Sequence, residues 1–370
     1  MGNLAKKIDV VGSTIKPAIE FVNKIKSGEK VVIAHGHDND TICSAVVVQR
    51  LLKDFKGVDA ELFPLGDNFA IREKDADGIA KMRPDHIIIV DIARVDEGPA
   101  QKILESNSTL FLDHHQPVKM KNVIYCNPRL FEKGIYMPVS YVVYKLYESF
   151  GDPVRVAWIA GVGVLSDHGV SVSHDLFEYI KKIDPKLVGE TDFREEDLFN
   201  YSILGTIAKI FDSARVAEGR SGSVIATRVL SQVKSYKSII NAGSEDAKKL
   251  MTWSEIVRKE FKRLVTDFNK KKHLLKGDII FYEIPSKLSI KSSLSGYLAQ
   301  FYKNKVLVLA QKKDGNFDIS FRRGDDMKTD LNKMAKKAVK GIPGGEGGGH
   351  EAASGARIPI KNLARFLKQL

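Results

Sequence analysis

Short apolar runs that end in acidic or histidine side chains recur through the first half of the chain. Such runs, bounded by polar residues, are typical of buried strands, and a strand end holds a side chain rigidly. The polar groups that follow these runs are residues 35–40 after 31–34, Asp91 after 87–90, Asp113-His114-His115 after 110–112, and Asp167 after 160–165. We therefore expect Asp and His side chains from several strand ends to meet in one crevice.

Amphipathic segments alternate with these runs over the first 112 residues. The periodicity predicts helices over residues 14–27, 42–55, 76–83 and 100–106, and strands over 30–34, 61–65, 87–90 and 109–112. An alternation of strands and helices predicts an α/β fold with a parallel sheet that is covered on both faces. Ligands of such sheets bind beyond the carboxyl ends of the strands, where these polar groups are expected.

The second half of the chain changes character twice. Residues 139–150 and 154–165 predict two helices, or one helix and a buried segment, and residues 195–272 are charged and mostly helical. A smaller α/β unit follows from Asp278, with strands over 279–283, 306–311 and 318–322, a helix over 292–302, and a glycine-rich segment over 341–350. The sequence therefore predicts two α/β domains joined by helices.

Composition narrows the class of protein. The 370 residues are 43% hydrophobic, enough for two or three domains with real cores. Two cysteines make a disulfide framework implausible and fit a reducing compartment. We find no membrane-spanning stretch and no signal-peptide pattern, so we expect a soluble, cytoplasmic protein without a membrane partner. The net charge of +12, from 58 Lys+Arg and 46 Asp+Glu, favours nucleic acid as partner, although a lysine-rich solvated surface is the alternative.

The polar groups have the chemistry of a metal site. Its candidate ligands are His35, Asp38, Asp40, Asp91, His114, His115 and Asp167. Carboxylate oxygens and imidazole nitrogens suit Mn²⁺, Mg²⁺ or Zn²⁺, and the lack of a thiolate cluster argues against structural zinc. An Asp that bridges two ions roughly 3.5–4 Å apart is the usual two-metal arrangement. Any one cluster could be only a helix N-cap or a surface pair, but all of them together favour a site.

These motifs resemble those of a known family. Asp113-His114-His115, with Asp38-Asn39-Asp40, Asp91 and Asp167, is similar to the signature of the DHH phosphoesterase superfamily. Residues 318–322, followed by the glycine-rich run and residues 351–355, resemble the DHH-associated C-terminal domain of RecJ-like exonucleases. The resemblance implies a DHH metal-binding phosphoesterase domain over 1–195, a helical connector over 196–272 and a substrate-binding domain over 273–370, with a cleft between the two α/β domains.

The first motif departs from the family pattern. RecJ-like members have His-x-Asp-x-Asp-Gly, and family II pyrophosphatases have His-x-x-x-Asp-x-Asp. This chain has His35 three positions before Asp38, with Thr41 in place of the glycine. Either His35 or His37 can be the ligand. We favour His35, because His37 directly precedes Asp38 and adjacent residues of an extended segment point apart.

The resemblance also implies roles for individual residues. Two divalent ions are expected, Mn²⁺ or alternatively Mg²⁺, with Asp91 bridging them. The implied ligands are His35, Asp38 and Asp91 for one ion, and Asp40, Asp91, His114 and Asp167 for the other. His115 would contact the scissile phosphate, and Asp113 would orient the histidines from behind. We therefore assign His115, Asp91 and Asp113 as catalytic, with no separate protein nucleophile.

The glycine-rich segment is a candidate substrate site. Successive glycines let the backbone approach a phosphate or base, and exposed N–H groups can cradle an anion. The residues assigned to substrate binding are Arg322, Gly347, Gly348, Gly349 and His350. The alternative is that the glycine run is a flexible linker. The neighbouring charged residues disfavour this alternative.

These features predict an exonuclease. We expect two-metal hydrolysis of single-stranded DNA or RNA from an end, in nucleic-acid processing or repair, with a repair or replication protein as a candidate partner. The alternatives are an oligoribonuclease or cyclic dinucleotide phosphodiesterase, and a non-enzymatic replication or repair scaffold. The net charge favours polymers over short substrates, and the glycine-rich site argues against a pyrophosphatase. A scaffold should have lost metal ligands, whereas this chain retains Asp or His at each candidate position.

Overall fold

The computed structural model describes residues 2–67, 70–117, 119–275 and 277–370, with side chains from Val10 onward. The chain divides into a first unit, Met1–Ser254, and a second unit, Glu255–Leu370. Each unit has its own hydrophobic core. Among the described residues, no helix is both long enough and apolar enough to cross a lipid bilayer.

The first unit is built on a parallel sheet. Its strands are β1 (Val31–His35), β2 (Glu61–Pro64), β3 (Ala70–Ile71), β4 (His86–Val90), β5 (Arg94–Val95), β6 (Ser108–Leu112) and β7 (Val123–Cys126). Five of them form a sheet in the order β2-β1-β4-β6-β7, and β3 pairs with β5. Every neighbouring pair in the five-stranded sheet is parallel. The predicted parallel sheet is therefore confirmed, and β7 is a strand that the sequence analysis missed.

Helices surround this sheet and account for most of the first unit. They are α1 (Gly2–Lys24), α2 (Asn39–Lys56), α3 (Glu73–Lys81), α4 (Pro99–Glu105), α5 (Val139–Glu148), α6 (Ala157–Ser166), α7 (His174–Ile183), α8 (Glu195–Tyr201), α9 (Ile203–Glu218), α10 (Arg220–Gln232) and α11 (Lys237–Ile240). A further helix, α12 (Glu245–Lys271), continues into the second unit. Side chains of α9 and α10, which lie in the predicted connector, belong to the core of the first unit.

The central strands are apolar throughout because both of their faces are buried. Ile33 of β1 packs into the core that includes α2, α5 and α6, whereas its neighbour Val32 packs into the core with α3 and α4. Successive side chains of a strand point to opposite faces, so a sheet covered on both sides needs continuous apolar runs. This explains the pattern from which the strands were predicted.

One apolar run lies in a helix, which confirms the helix predicted over residues 154–165. The expectation that Asp167 ends a strand was wrong, because Asp167 directly follows helix α6. Glycines in this helix allow close packing: a Cβ on Gly163 would lie 2.0 Å from Ser140 Oγ of α5, and one on Gly161 would lie 2.7 Å from Ile180 of α7. Because α6 is buried all round, its sequence lacks the amphipathic period that identifies a helix.

The second unit is a mixed α/β domain. Its strands are β8 (His273–Leu274), β9 (Ile279–Ile284), β10 (Val306–Lys313), β11 (Asn316–Arg323), β12 (Glu346–Gly349) and β13 (Ala353–Pro359), and its other helices are α13 (Lys291–Ala299), α14 (Leu331–Ala338) and α15 (Leu363–Gln369). The sheet order is β12-β13-β11-β10-β9-β8, with β9 and β10 parallel and the remaining pairs antiparallel. Helices α14 and α15 supply the core on one face.

The glycine-rich segment contains an edge strand rather than a flexible linker. Strand β12 pairs with β13 and packs against α14. A Cβ on Gly347 would lie 2.8 Å from the carbonyl oxygen of Ala335 in α14, whereas one on Gly348 would make only ordinary contacts, the nearest at 3.6 Å. Gly347 is therefore required by helix packing, while Gly348 has no such packing requirement.

Candidate metal centre

The polar residues predicted at strand ends lie along one edge of the parallel sheet. His35 is the last residue of β1, Asp91 directly follows β4, and Asp113 directly follows β6. The strands are parallel and adjacent, so their carboxyl ends meet at the same edge. Asp91 has a φ of 57°, a backbone conformation that is rare outside glycine, and its N–H donates to the Leu112 carbonyl oxygen at 2.8 Å.

Two aspartates of the first motif lie at the start of α2 and have different partners. Asp38 caps this helix, because its Oδ1 accepts from the Thr41 N–H at 3.0 Å. Asp40 is buried and accepts the N–H groups of Val139 at 2.8 Å and Ser140 at 2.9 Å. These are the first two residues of α5, and the first N–H groups of a helix have no partner within it. Asp40 therefore fixes α5 against α2.

The side chains form two groups that could each hold a cation. Asp91, His114 and His115 form one, and Asp40, His114 and Asp167 form the other, with the ligand atoms of each group within 4.8 Å of one another. His114 Nε2 lies 3.3 Å from Asp91 Oδ1, and His114 Nδ1 lies 3.7 Å from Asp167 Oδ2. His114 is thus shared. These groups place His115 beside Asp91 and include neither His35 nor Asp38, unlike the ligand sets implied by the resemblance.

Buried polar atoms without hydrogen-bond partners fit a bound cation. Among the described residues, these atoms include His35 Nε2, His114 Nδ1 and Asp91 Oδ1. The other nitrogen of His35, Nδ1, donates to the Gly36 carbonyl oxygen at 2.8 Å, which leaves the Nε2 lone pair available as a ligand. Buried polar groups are normally satisfied, and bound divalent cations would supply partners for such atoms.

Burial and the proximity of like charges make it unfavourable for the aspartates of this centre to be ionised. Burial, reinforced by neighbouring carboxylates, raises the pKa of Asp40 and of Asp167 to about 6. The same causes raise the pKa of Asp91 well above its ordinary value, and burial lowers the pKa of His35 to about 4. A cation at this position would reverse the shifts of the carboxyls and reinforce that of His35, since it favours ionised carboxyls and neutral imidazoles.

Asp113 holds His115 from behind. The His115 Nδ1–H donates to Asp113 Oδ1 at 2.8 Å, and the Tyr125 hydroxyl donates to Asp113 Oδ2 at 2.7 Å. The Asn127 amide donates to Asp113 Oδ2 at 3.2 Å and to the His115 carbonyl oxygen at 2.9 Å. Burial alone would lower the pKa of His115, but the hydrogen bond to Asp113 and its charge outweigh burial, so the pKa is raised.

Several residues at the centre escaped the sequence analysis. The Tyr136 hydroxyl donates to Asp167 Oδ2 at 2.6 Å, and its ring centroid lies 5.2 Å from that of His114. Thr41 Oγ1 lies 2.6 Å from Asp38 Oδ1 and 2.8 Å from Asp91 Oδ2. Asn127 directly follows β7, so the strand-end rule would have identified it if β7 had been predicted. Tyr136 lies in an irregular segment and carries no comparable signal.

The predicted substrate-binding residues meet at one corner of the second sheet. Arg322 of β11 is paired with Ala353 of β13, and the next residue, Ser354, is paired with Gly349 of β12. Burial lowers the pKa of Arg322, whose Nη1–H donates to the Phe321 carbonyl oxygen at 3.1 Å. The His350 side chain is exposed. The sheet thus brings together residues that lie about 30 positions apart in the sequence.

The fold is similar to several solved structures. The DHH domain of a member of a family of ribosomal proteins matches with a TM-score of 0.71 at 18% identity, over 98% of this chain and 91% of that chain. RecJ of Thermus thermophilus in complex with Mn²⁺ matches with a TM-score of 0.68 at 14% identity, over 95% of this chain and 54% of that chain. CDC45 from Entamoeba histolytica matches with a TM-score of 0.59 at 10% identity, over 97% of this chain and 98% of that chain. This chain spans about half of the Thermus RecJ.

The chain has a RecJ-like fold, as the resemblance predicted. Residues 288–370 match the DHHA1 domain. No curated protein sequence matches the chain. The fold class is therefore confirmed, and so is the resemblance of the C-terminal residues to the DHH-associated domain. At these identities the structural matches establish only the fold, so activity has to be inferred from the chain's own residues.

Proposed function

We propose that this chain is a metal-dependent phosphodiesterase that shortens single-stranded nucleic acid, with its metal centre in the first unit. The observation that carries the proposal is the environment of Asp91. Its Oδ1 is buried without a hydrogen-bond partner among the described residues, and Asp91 belongs to one of two ligand groups that share His114. Side chains shared between adjacent ligand groups suit a two-ion site.

The donor atoms indicate which cations would bind. The proposed ligands remain His35, Asp38, Asp40, Asp91, His114 and Asp167, a set of carboxylates and imidazoles that suits Mn²⁺ or Mg²⁺. The RecJ of similar fold from Thermus thermophilus was solved with Mn²⁺. Ions bound here would polarise a phosphodiester and activate a water for attack on phosphorus.

The protein side chains would orient the substrate. Because Asp113 accepts the Nδ1–H of His115, Nε2 is the nitrogen left for the scissile phosphate. The raised pKa of His115 favours its cationic form, and hydrogen bonds from a cation to phosphate are strong. Arg322, Gly347, Gly348, Gly349 and His350 would hold the substrate in the second unit. We assign His115 to phosphate contact and Asp113 to positioning.

A polymeric substrate is favoured over a short one by charge. The net charge of +12 exceeds what a dinucleotide requires, and phosphate contacts dominate the affinity for nucleic acid. Single strands rather than duplexes are proposed because basic grooves with stacking platforms bind strands without reading sequence. A cytoplasmic location and a role in repair remain part of this proposal. A scaffold is disfavoured because Asp or His is present at each candidate ligand position.

The test compares substrates and one charge-neutral variant. The protein should be incubated with Mn²⁺ or Mg²⁺ and a labelled single strand of about 20 nucleotides, its duplex, a dinucleotide or a cyclic dinucleotide. We expect shortened strands and mononucleotides from the single strand and little from the duplex. Asp91→Asn should lower turnover by several orders of magnitude. Asp59→Asn, which neutralises an exposed carboxylate paired with Lys53, is the matched control.

Two results would change the proposal. Efficient cleavage of only the dinucleotide or the cyclic dinucleotide would replace the exonuclease by a short-substrate phosphodiesterase. Failure to bind Mn²⁺ or Mg²⁺ in calorimetry, together with no hydrolysis of any substrate, would remove the enzyme and favour the scaffold. Strands labelled at the 5′ or 3′ end would also give the polarity of degradation.

A further inference from the structure

A row of aromatic rings lies on the surface of the second unit, where α12 meets α13. Phe261 and Tyr297 pack edge to face with their ring centroids 5.1 Å apart, and Tyr297 and Phe301 have centroids 5.0 Å apart. We call these three residues the ring ladder. Exposure increases along it, from the partly buried Phe261 to Tyr297 at 38% and Phe301 at 64%. The outer ring is thus largely accessible to solvent.

The ring ladder is not needed to complete the core of the unit. Leu264 and Phe268 of α12 are fully buried, and so are Leu294 and Leu298 of α13, at 2% exposure or less. These residues already provide the apolar contacts of the two helices. Exposed aromatic rings that lie next to one another, rather than scattered singly, indicate an interaction surface.

The surrounding surface is basic. Residues 255–272 contain seven Lys or Arg and three Asp or Glu, a net charge of +4. The acidic residues are all engaged within the helix, with ion pairs from Glu255 to Arg258, Glu260 to Arg263 and Asp267 to Lys271.

Several lysines remain available around the ladder. Within the described part of the chain, no carboxylate lies within ion-pair distance of Lys262 or Lys270. Lys262 is adjacent to Phe261 in the sequence, and the exposed Lys303 lies two positions after Phe301. Lys272 Nζ lies 5.5 Å from the ring centroid of Tyr302. Lysines thus neighbour two rings of the ladder in the sequence, and Lys272 lies over the ring of the residue after Phe301.

We propose that the ring ladder, with Lys262 and Lys303, is a binding surface for single-stranded nucleic acid. Bases of a single strand can stack on exposed rings whatever their sequence, and the phosphates between them require cations. A polyanion also complements the net charge of +4, whereas a neutral or basic protein surface would not complement it. The surface consists of residues other than the proposed metal ligands, Arg322 and the glycine-rich strand, so binding here needs no hydrolysis.

The test measures binding without metal. The full chain in EDTA should be titrated with a fluorescent single strand of about 20 nucleotides. Phe301→Ala should weaken affinity about tenfold, because the loss of base stacking costs roughly that much or more. Phe301→Leu should weaken affinity nearly as much, since it keeps an apolar side chain but loses the ring. Leu274→Ala, which truncates a side chain exposed to 66% in the same unit, is the control and should bind like the wild type.

A local probe distinguishes stacking from general attraction. The tryptophan introduced by Phe301→Trp should be quenched by the single strand, and not by an abasic strand of equal length that carries the same phosphates. Lys262→Gln should reduce the slope of log affinity against log salt by about 0.7. Wild-type affinity in Phe301→Leu would overturn the proposal, because an apolar partner surface tolerates leucine. Equal quenching by the abasic strand, or no quenching at all, would overturn it as well.

Discussion

Replacing Asp91 with asparagine should stabilise the metal-free protein, and the gain should increase with pH. Asp91 is buried, its Oδ1 accepts no hydrogen bond among the described residues, and its pKa is raised well above 3.8 by burial and by the charges of Asp40 and Asp38. An amide has nearly the shape of the protonated carboxyl and no charge. The variant therefore avoids the unfavourable ionisation that the wild type undergoes as pH rises.

The sign and size of the effect follow from linkage between protonation and folding. A carboxyl with a raised pKa contributes stability that is fully present below its unfolded pKa and is lost as pH rises through its folded pKa. For Asp40 and Asp167, burial and neighbouring charges raise the pKa from 3.8 to about 6, which corresponds to about 3 kcal/mol above that pH. Because Asp91 shares the same causes, we expect a gain of the same order for Asp91→Asn at pH 8, which falls to roughly half at pH 5 and to little at pH 4.

Urea unfolding in EDTA between pH 4 and 8 measures this difference. Both tryptophans, Trp158 and Trp253, lie in the first unit, so their fluorescence follows the unfolding of the unit that contains the centre. The lowered pKa of His35, about 4, contributes stability that is lost as pH falls from 6.5, but a comparison of variant and wild type at each pH cancels it. Asp59→Asn removes an exposed charge and should show no pH-dependent gain.

Addition of Mn²⁺ at high concentration should reverse the order of stability. A cation that binds only the folded state stabilises it by about 4.1 kcal/mol at one thousand times its Kd, and only the wild type retains the Asp91 carboxylate. If Asp91→Asn is no more stable than the wild type in EDTA at pH 8, and Mn²⁺ stabilises both proteins equally, then the reasoning about this centre is refuted.

Further predictions concern packing and hydrogen bonds. Gly163→Ala should lower the melting temperature of the first unit by roughly 5–10 °C through overpacking, even though alanine favours helices. Gly134→Ala is the control and should leave the melting temperature unchanged, because no atom lies within 4 Å of its new Cβ. Gly347→Ala should destabilise the second unit in urea, whereas Gly348→Ala should retain stability and weaken substrate binding if the strand is approached by phosphate. Tyr136→Phe should lower turnover about tenfold, while circular dichroism should show that the protein remains folded. Wild-type turnover in this variant would exclude a positioning role for the Tyr136 hydroxyl.

The sequence predicted the parallel sheet because its physical signal is local. Central strands buried on both faces must be apolar, and the polar residues that follow them lie at one edge of the sheet. The same signal failed for α6, because a helix buried on all sides has no polar face. Strand β12 was missed for the opposite reason, since glycines carry no strand propensity and the pairing with β13 alone makes this segment a strand.

The centre was partly predictable for the same reason. The strand-end residues lie where the sheet's topology brings them together, whereas Tyr136 reaches Asp167 across 31 positions that include α5 and α6. Similarly, the hydrogen bonds from the start of α5 to Asp40 span about 100 positions. No short motif describes contacts of this kind, because they depend on how separate elements pack.

The two hydrogen bonds that Asp40 accepts from α5 have a consequence for how such a protein can change over time. Asp40 is needed by the fold even without an ion. Asp91 Oδ1 has no hydrogen-bond partner in the described chain, and burial and neighbouring carboxylates make the ionised form of Asp91 unfavourable when no cation is bound. A descendant that abandoned catalysis would be free to replace Asp91 early and would be held back from replacing Asp40. In relatives of this fold, the side chain at the position of Asp91 should therefore distinguish enzymes from inactive forms, and an aspartate at the position of Asp40 should not.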